Sequence, residues 1–185
     1  IEAERILAGT TSHGATLLGP GRIRHAGSGP TTIGAWSQTE GGLQRAGQFA
    51  EFFNRAGIKT ESVADVRSVV WNKLLINIGI NAVTALTNIK NGQILDLKIT
   101  QELSRAAVMD AIGVARAENI KVQDDAVDRV FKVAEATAVN RSSMGQDVDS
   151  RRQTEIAAIN GFIVREAKRL GLPAPVNFAL TALVE

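Results

Sequence analysis

Trp71-Asn72-Lys73-Leu74-Leu75-Ile76-Asn77-Ile78-Gly79-Ile80-Asn81-Ala82-Val83 is the stretch that decides how this chain is read. Wound into a helix, Lys73, Asn77 and Asn81 are spaced i, i+4, i+8 and fall on one polar stripe, while the other faces carry Leu, Ile, Ala and Val. A helix apolar on most sides belongs in a core. Burying an ammonium and two carboxamides there without partners costs on the order of several kcal/mol, so the stripe must face a polar cavity, a ligand or other polar side chains. The alternative reading is that Lys73 snorkels to solvent and the asparagines bond neighbouring helices.

Downstream of Asp65 the helical periodicity continues. It predicts helices over roughly Val66 to Asn88, Thr100 to Glu118, Asp125 to Val139 and Ser143 to Leu170, and a last one from about Val176. Asn91-Gly92, Asn119, Gly171 and Pro173 to Pro175 supply the breaks. Ser143-Met144-Gly145-Gln146 has the spacing of a capping box with Ser143 as the cap. Upstream the character differs. Short β-capable runs at Arg5 to Leu7, Ala15 to Leu18, Arg22 to His25 and Thr31 to Ile33, separated by Gly-Pro turns, predict a small antiparallel hairpin or meander. Leu43, Ala46, Phe49, Phe53 and Ala56 then mark an amphipathic helix from Thr39 to Ala56, and Ile58 to Val63 reads as a short strand. The chain is therefore expected to be mainly α, with a β-rich part over 1–63 and a helical domain over 64–185. It starts at Ile1, in a strand-like run and without an initiator Met, which predicts further natural sequence upstream.

Composition narrows the function. With 44% hydrophobic and 22% charged residues in 185, a packed fold is expected throughout. The net charge of +2 comes from 21 basic and 19 acidic residues interspersed along the chain, and only 4% of residues are aromatic. Neither an electrostatic footprint nor a stacking platform for nucleic acid follows. There is no cysteine, and His13 and His25 stand apart in sequence, so no metal site is expected and a reducing cytoplasm is compatible. The longest apolar run, Leu74 to Ile80, is broken by Asn77 and is far shorter than a bilayer span, so no membrane association is expected.

The run from Lys73 to Asn81 with Asn88 and Asn91-Gly92 behind it, the block Asn140-Arg141-Ser142-Ser143-Met144, Gln146-Asp147, Arg152, Thr154-Glu155-Ile156 and Ile159-Asn160-Gly161 resemble the ketopantoate reductase family, as does the opening Gly9-Thr10-Thr11-Ser12-His13-Gly14-Ala15. The resemblance implies a helical substrate-binding and dimerisation domain, of the type at the C-terminus of 6-phosphogluconate dehydrogenase, behind the tail end of a Rossmann-type domain. It implies NADPH-dependent reduction of 2-dehydropantoate to pantoate, in the cytoplasm, and is compatible with a homodimer through the helical domain. By the same resemblance Lys73 matches the proton donor, and Asn77, Asn81, Asn91 and Ser143 match substrate-binding positions. Glu155 and Ala15 match positions beside the cofactor. Other readings of these residues stay open: Ser143 as a helix cap alone, Asn91 as a turn former before Gly92, and Glu155 as the partner of Arg151 on a solvated helix face.

The chemistry suits the residue types. Hydride delivery to a ketone leaves negative charge on oxygen, which a lysine ammonium can stabilise and then protonate, while neutral amides and hydroxyls orient a small hydroxylated 2-oxo acid. A glycine-rich strand-turn-helix that would cradle a pyrophosphate is not legible here. Gly27-Ser28-Gly29 runs into Pro30 and β-capable residues and reads as a turn, so the main NADPH motif is expected outside these residues, with very weak binding of NADPH by the chain alone. Two other functions remain in view: a related reductase of another 2-oxo acid or an imine, and a non-catalytic helical dimerisation module.

Overall fold

The computed structural model describes Glu2 and residues 5–185, which form two compact units, Ile1–Val70 and Trp71–Glu185.

In the first unit, β1 (Leu7–Thr11) pairs antiparallel with β4 (Thr31–Ala35), not with its sequence neighbour. Between them β2 (Gly14–Gly19) and β3 (Arg22–Gly27) form a separate hairpin. Of the expected hairpin or meander the structure has the hairpin: the turn at Pro20-Gly21 closes a two-stranded ribbon, and the chain returns to β1 only after Pro30. A helix, α1 (Glu40–Arg55), then leads to β5 (Thr60–Ser62), which lies parallel to β4. This strand-helix-strand connection between parallel neighbours fits the tail end of a Rossmann-type domain that the family resemblance implies. Thr39 caps α1 by accepting from the Gly42 N–H at 3.3 Å. At its other end the Asn54 side chain donates to Thr60 O and accepts from Thr60 N, both at 2.8 Å, extending the strand pattern to the helix. His13 and His25, distant in sequence, meet across the hairpin with Nδ1 and Nε2 3.0 Å apart and their rings stacked.

The second unit is helical: α2 (Val66–Thr87, which starts in the first unit), a 3-10 helix (Asn91–Leu95), α3 (Lys98–Ala117), α4 (Ala126–Ala136), α5 (Ser143–Asp149), α6 (Asn160–Leu170) and α7 (Pro175–Val184). The expected single helix from Ser143 to Leu170 is two. Between α5 and α6 the chain turns at Arg151, which takes φ +52, and residues 152–159 are irregular. Glu155 therefore lies in a turn and not on a helix face, which removes the helical spacing on which a pairing with Arg151 depends.

By length and mean hydropathy α2 could cross a bilayer, yet 56% of that apolar window is buried within the protein. Every residue from Ile78 to Ala85 is buried, as in the core helix of a folded domain. Close approach is possible because of Gly79. A Cβ built there would fall 2.5 Å from Val130 Cγ1 on α4 and 2.9 Å from Val108 Cγ2 on α3, and the Ser104 hydroxyl donates to Gly79 O at 2.7 Å. Gly79→Ala is expected to destabilise the helical unit by about 1 to 3 kcal/mol through overpacking. Denaturant unfolding measures it; a change below a few tenths would mean that the three helices can move apart freely.

Candidate functional site

The stripe on α2 runs from surface to core. Lys73 is exposed, Asn77 half-buried and Asn81 buried. Where it enters the core it meets α5, contributed from more than sixty residues further along: Asn81 Nδ2 donates to Ser143 Oγ at 3.4 Å. That is a long hydrogen bond, which a ligand oxygen can readily replace. One turn deeper, Thr84 continues the stripe, its hydroxyl 2.7 Å from that of Ser142 and 2.8 Å from Ile80 O.

The helix cap is not where the sequence reading put it. Ser142, not Ser143, is the N-cap of α5, accepting from the Gly145 N–H at 3.1 Å. Gln146 does not close a box on the serine; its Nε2 donates to Arg141 O at 2.9 Å. Two adjacent serines leave the frame of a cap ambiguous by one residue, and burial of the Ser142 hydroxyl against Thr84 decides it. Ser143, released from capping, is exposed beside the buried Asn81.

Asn91 opens the 3-10 helix. It is buried, its Nδ2 donates to Thr137 Oγ1 at 3.0 Å and its N–H to Asn140 O at 3.0 Å, while its Oδ1 is buried with no partner. Glu155 presents an exposed side chain in the turn before α6. Ala15 belongs to the other unit, on β2 opposite His25. Lys73, Asn77, Asn81 and Ser143 thus follow one line from α2 to α5. Asn91 supports the end of that line through the loop that carries Asn140, and neither Glu155 nor Ala15 belongs to the two helices that form it.

Sequence reasoning gave Thr84, Ser142 and Arg141 no role, although the last two stand in the block that carries the family resemblance. Thr84 had a signal, since 73, 77, 81 and 84 follow helical spacing. Arg141 had none of that kind. Its guanidinium forms a two-pronged ion pair with Asp149, Nε to Oδ2 and Nη2 to Oδ1 both at 2.9 Å, and its Nη1 donates to Thr84 O at 2.8 Å and Ile89 O at 3.0 Å. Hydrogen bonding from Arg141 holds the Asp149 carboxyl below the usual range. Among the described residues no group of three or more metal-ligating side chains occurs.

The two serines make a paired prediction for the full-length protein. Ser142→Ala is expected to lower stability by about 1 to 2 kcal/mol, through the lost cap and the lost hydrogen bond to Thr84, whose hydroxyl keeps Ile80 O as acceptor. Ser143→Ala, which gives up only the long 3.4 Å hydrogen bond from Asn81, should cost clearly less, no more than about 0.5 kcal/mol. If Ser143→Ala melts as early as Ser142→Ala, the cap has been misassigned.

Comparison with known proteins agrees with this architecture. The family described as ketopantoate reductase PanE/ApbA C terminal matches residues 65–185, and the ketopantoate reductase PanE/ApbA family matches residues 1–38. A 2-dehydropantoate 2-reductase of Halobacterium salinarum is 37% identical over 184 residues, covering 100% of this chain and 60% of that protein. One of Archaeoglobus fulgidus is 36% identical, covering 97% of this chain and 60% of the relative. The chain thus spans about three-fifths of the length of the curated relatives it matches. Among solved structures, a PanE/ApbA family ketopantoate reductase from Ralstonia eutropha superposes with a TM-score of 0.84 at 33% identity, over 96% of this chain and 57% of that one. D-mandelate dehydrogenase in complex with NADH superposes with a TM-score of 0.90 at 25% identity, over 100% of this chain and 62% of that one.

Proposed function

This chain belongs to the ketopantoate reductase family, and from that premise we propose that it forms the substrate-binding part of an NADPH-dependent reductase of 2-dehydropantoate. Residues 1–63 would complete the nucleotide-binding domain and 64–185 would hold the substrate. The observation that carries this reading is the meeting of Asn81 with Ser143 on a polar stripe that opens at Lys73.

The residues suit a small polar acid. Asn77, Asn81 and Ser143 offer neutral donors and acceptors for its carboxylate and hydroxyl groups, and Asn91, buried and tied to Asn140 O, supports them from behind. Lys73, at the exposed end, is the group proposed to reach the ketone oxygen. Its ammonium stabilises the negative charge that grows there and transfers a proton from Nζ, giving the hydroxy acid.

The residues present fit NADPH only as a minor share of its contacts. The Gly27-Ser28-Gly29 segment connects two strands, so it lacks the helix N-terminus that a pyrophosphate needs. The exposed Glu155 carboxylate can accept hydrogen bonds from the cofactor, and the extended backbone at Ala15 can lie against the nucleotide. NADPH would supply the hydride when bound.

The likeness to D-mandelate dehydrogenase favours a second reading, in which the same frame reduces a different 2-oxo acid. A substrate panel on the full-length protein decides between them. Ketopantoate should give the highest kcat/KM; an aromatic 2-oxo acid preferred by tenfold or more would favour the second reading.

A further inference from the structure

Arg141 occupies a point from which three parts of the candidate site are held at once. Its backbone immediately precedes Ser142, the cap of α5, and its side chain reaches along that helix to Asp149 at the far end. The same guanidinium grips the end of α2, where Nη1 donates to Thr84 O in the last turn and to Ile89 O two residues beyond the helix. Carbonyls in the last turn of a helix lack helical partners and carry the negative end of its dipole, so a cation is favoured there. Room for the group comes from α5 itself. A Cβ at Gly145 would fall 2.8 Å from Arg141 Cζ and 2.9 Å from Nε, so the guanidinium lies directly on the face that this glycine leaves bare.

We propose that Arg141 is a positioning residue for substrate binding, fixing where the Ser143 hydroxyl stands against Asn81. This rests on the assignment of Ser143 and Asn81 as substrate contacts. The geometry demands a guanidinium. Four N–H groups are used, two to a carboxylate and two to carbonyls, in one rigid plane; a lysine ammonium carries three donors on a single atom and cannot span both partners. Without the clamp, Ser142 and Thr84 remain as the tie between α5 and α2, and Ser143 is free to shift by a fraction of an ångström. Such displacements weaken ligand contacts without abolishing them.

The test is a double-mutant cycle in the full-length protein, read as KM for ketopantoate, kcat and KM for NADPH. Arg141→Met is expected to raise KM for ketopantoate on the order of tenfold, with kcat and KM for NADPH within about threefold. Arg141→Lys should recover little of the loss. Gly145→Ala, which keeps the arginine but crowds its guanidinium, should shift KM in the same direction and serves if Arg141→Met fails to fold. Added to Ser143→Ala, either change should have little further effect, because it acts through that hydroxyl. Full multiplication of the two effects, or an unchanged KM in both Arg141→Lys and Gly145→Ala, would overturn the proposal while leaving the substrate site standing. If Ser143→Ala alone does nothing to KM, the site assignment itself falls and the positioning role with it.

Discussion

Asn177→Ala is expected to cost about 3 to 5 kcal/mol and to loosen the last helix selectively. Asn177 and Asn160 are both fully buried, and Asn160 Nδ2 donates to Asn177 Oδ1 at 3.0 Å. Asn177 Nδ2 in turn donates to Ala107 O at 2.8 Å, on α3. Beside it the Asp110 carboxylate accepts from the backbone N–H groups of Val176 and Asn177, at 3.0 and 3.2 Å, which places a negative charge at the start of α7. Truncation at 177 strands the buried Asn160 Nδ2 donor, removes the tie to Ala107 O and leaves a cavity. Hydrogen exchange is the local measure: amides of α7 between Phe178 and Leu183 should exchange on the order of a hundredfold faster, while those of α1 stay as they were. Uniform acceleration across the protein, or none in α7, would show that the network does not dock this helix.

Much of this fold was legible because apolar spacing is a local signal. The helices over Val66–Thr87, Lys98–Ala117 and Ala126–Ala136 follow the periodicity closely, and the first two end near the Asn91-Gly92 and Asn119 breaks. The failures are non-local. That β1 pairs with β4 across an intervening hairpin depends on contacts no window of sequence contains. The break between α5 and α6 lies in Ser150 to Ile159, a stretch with no proline or glycine, where apolar residues at Ile156 and Ile159 continue a helical spacing. There tertiary burial of those two isoleucines overrides a propensity that local rules read as helix. Asp110, whose partners arrive from α7, is invisible to any reading of α3 alone.

The candidate site divides in the same way. Lys73, Asn77 and Asn81 lie on one helix, so their spacing alone is enough to group them on one face. Ser143 came only from the family resemblance, and the local capping argument even pointed it to a different task. The His13–His25 contact was missed because cross-strand register is set by the hairpin and not by proximity in sequence.

The larger functional effect is expected at Lys73. In the full-length protein Lys73→Met should lower the rate of ketone reduction by a factor on the order of 100 or more, the size typical of losing a positioned proton donor or charge stabiliser. The side chain is exposed at the head of the stripe, so the substitution should change stability by no more than about 0.5 kcal/mol, and methionine keeps the bulk of the stem. Asn77, Asn81 and Ser143 would still bind the acid, so the loss should fall on kcat and not on KM. A second lysine cannot take over from α2, since Lys73 is the only basic residue between Arg67 and Lys90. Single-turnover oxidation of NADPH, with ketopantoate saturating, measures the chemical step directly. A hundredfold slower transient with the melting temperature unchanged is the result expected; a transient as fast as that of the unmutated protein would take Lys73 out of the reaction and leave its stripe as a structural feature of α2.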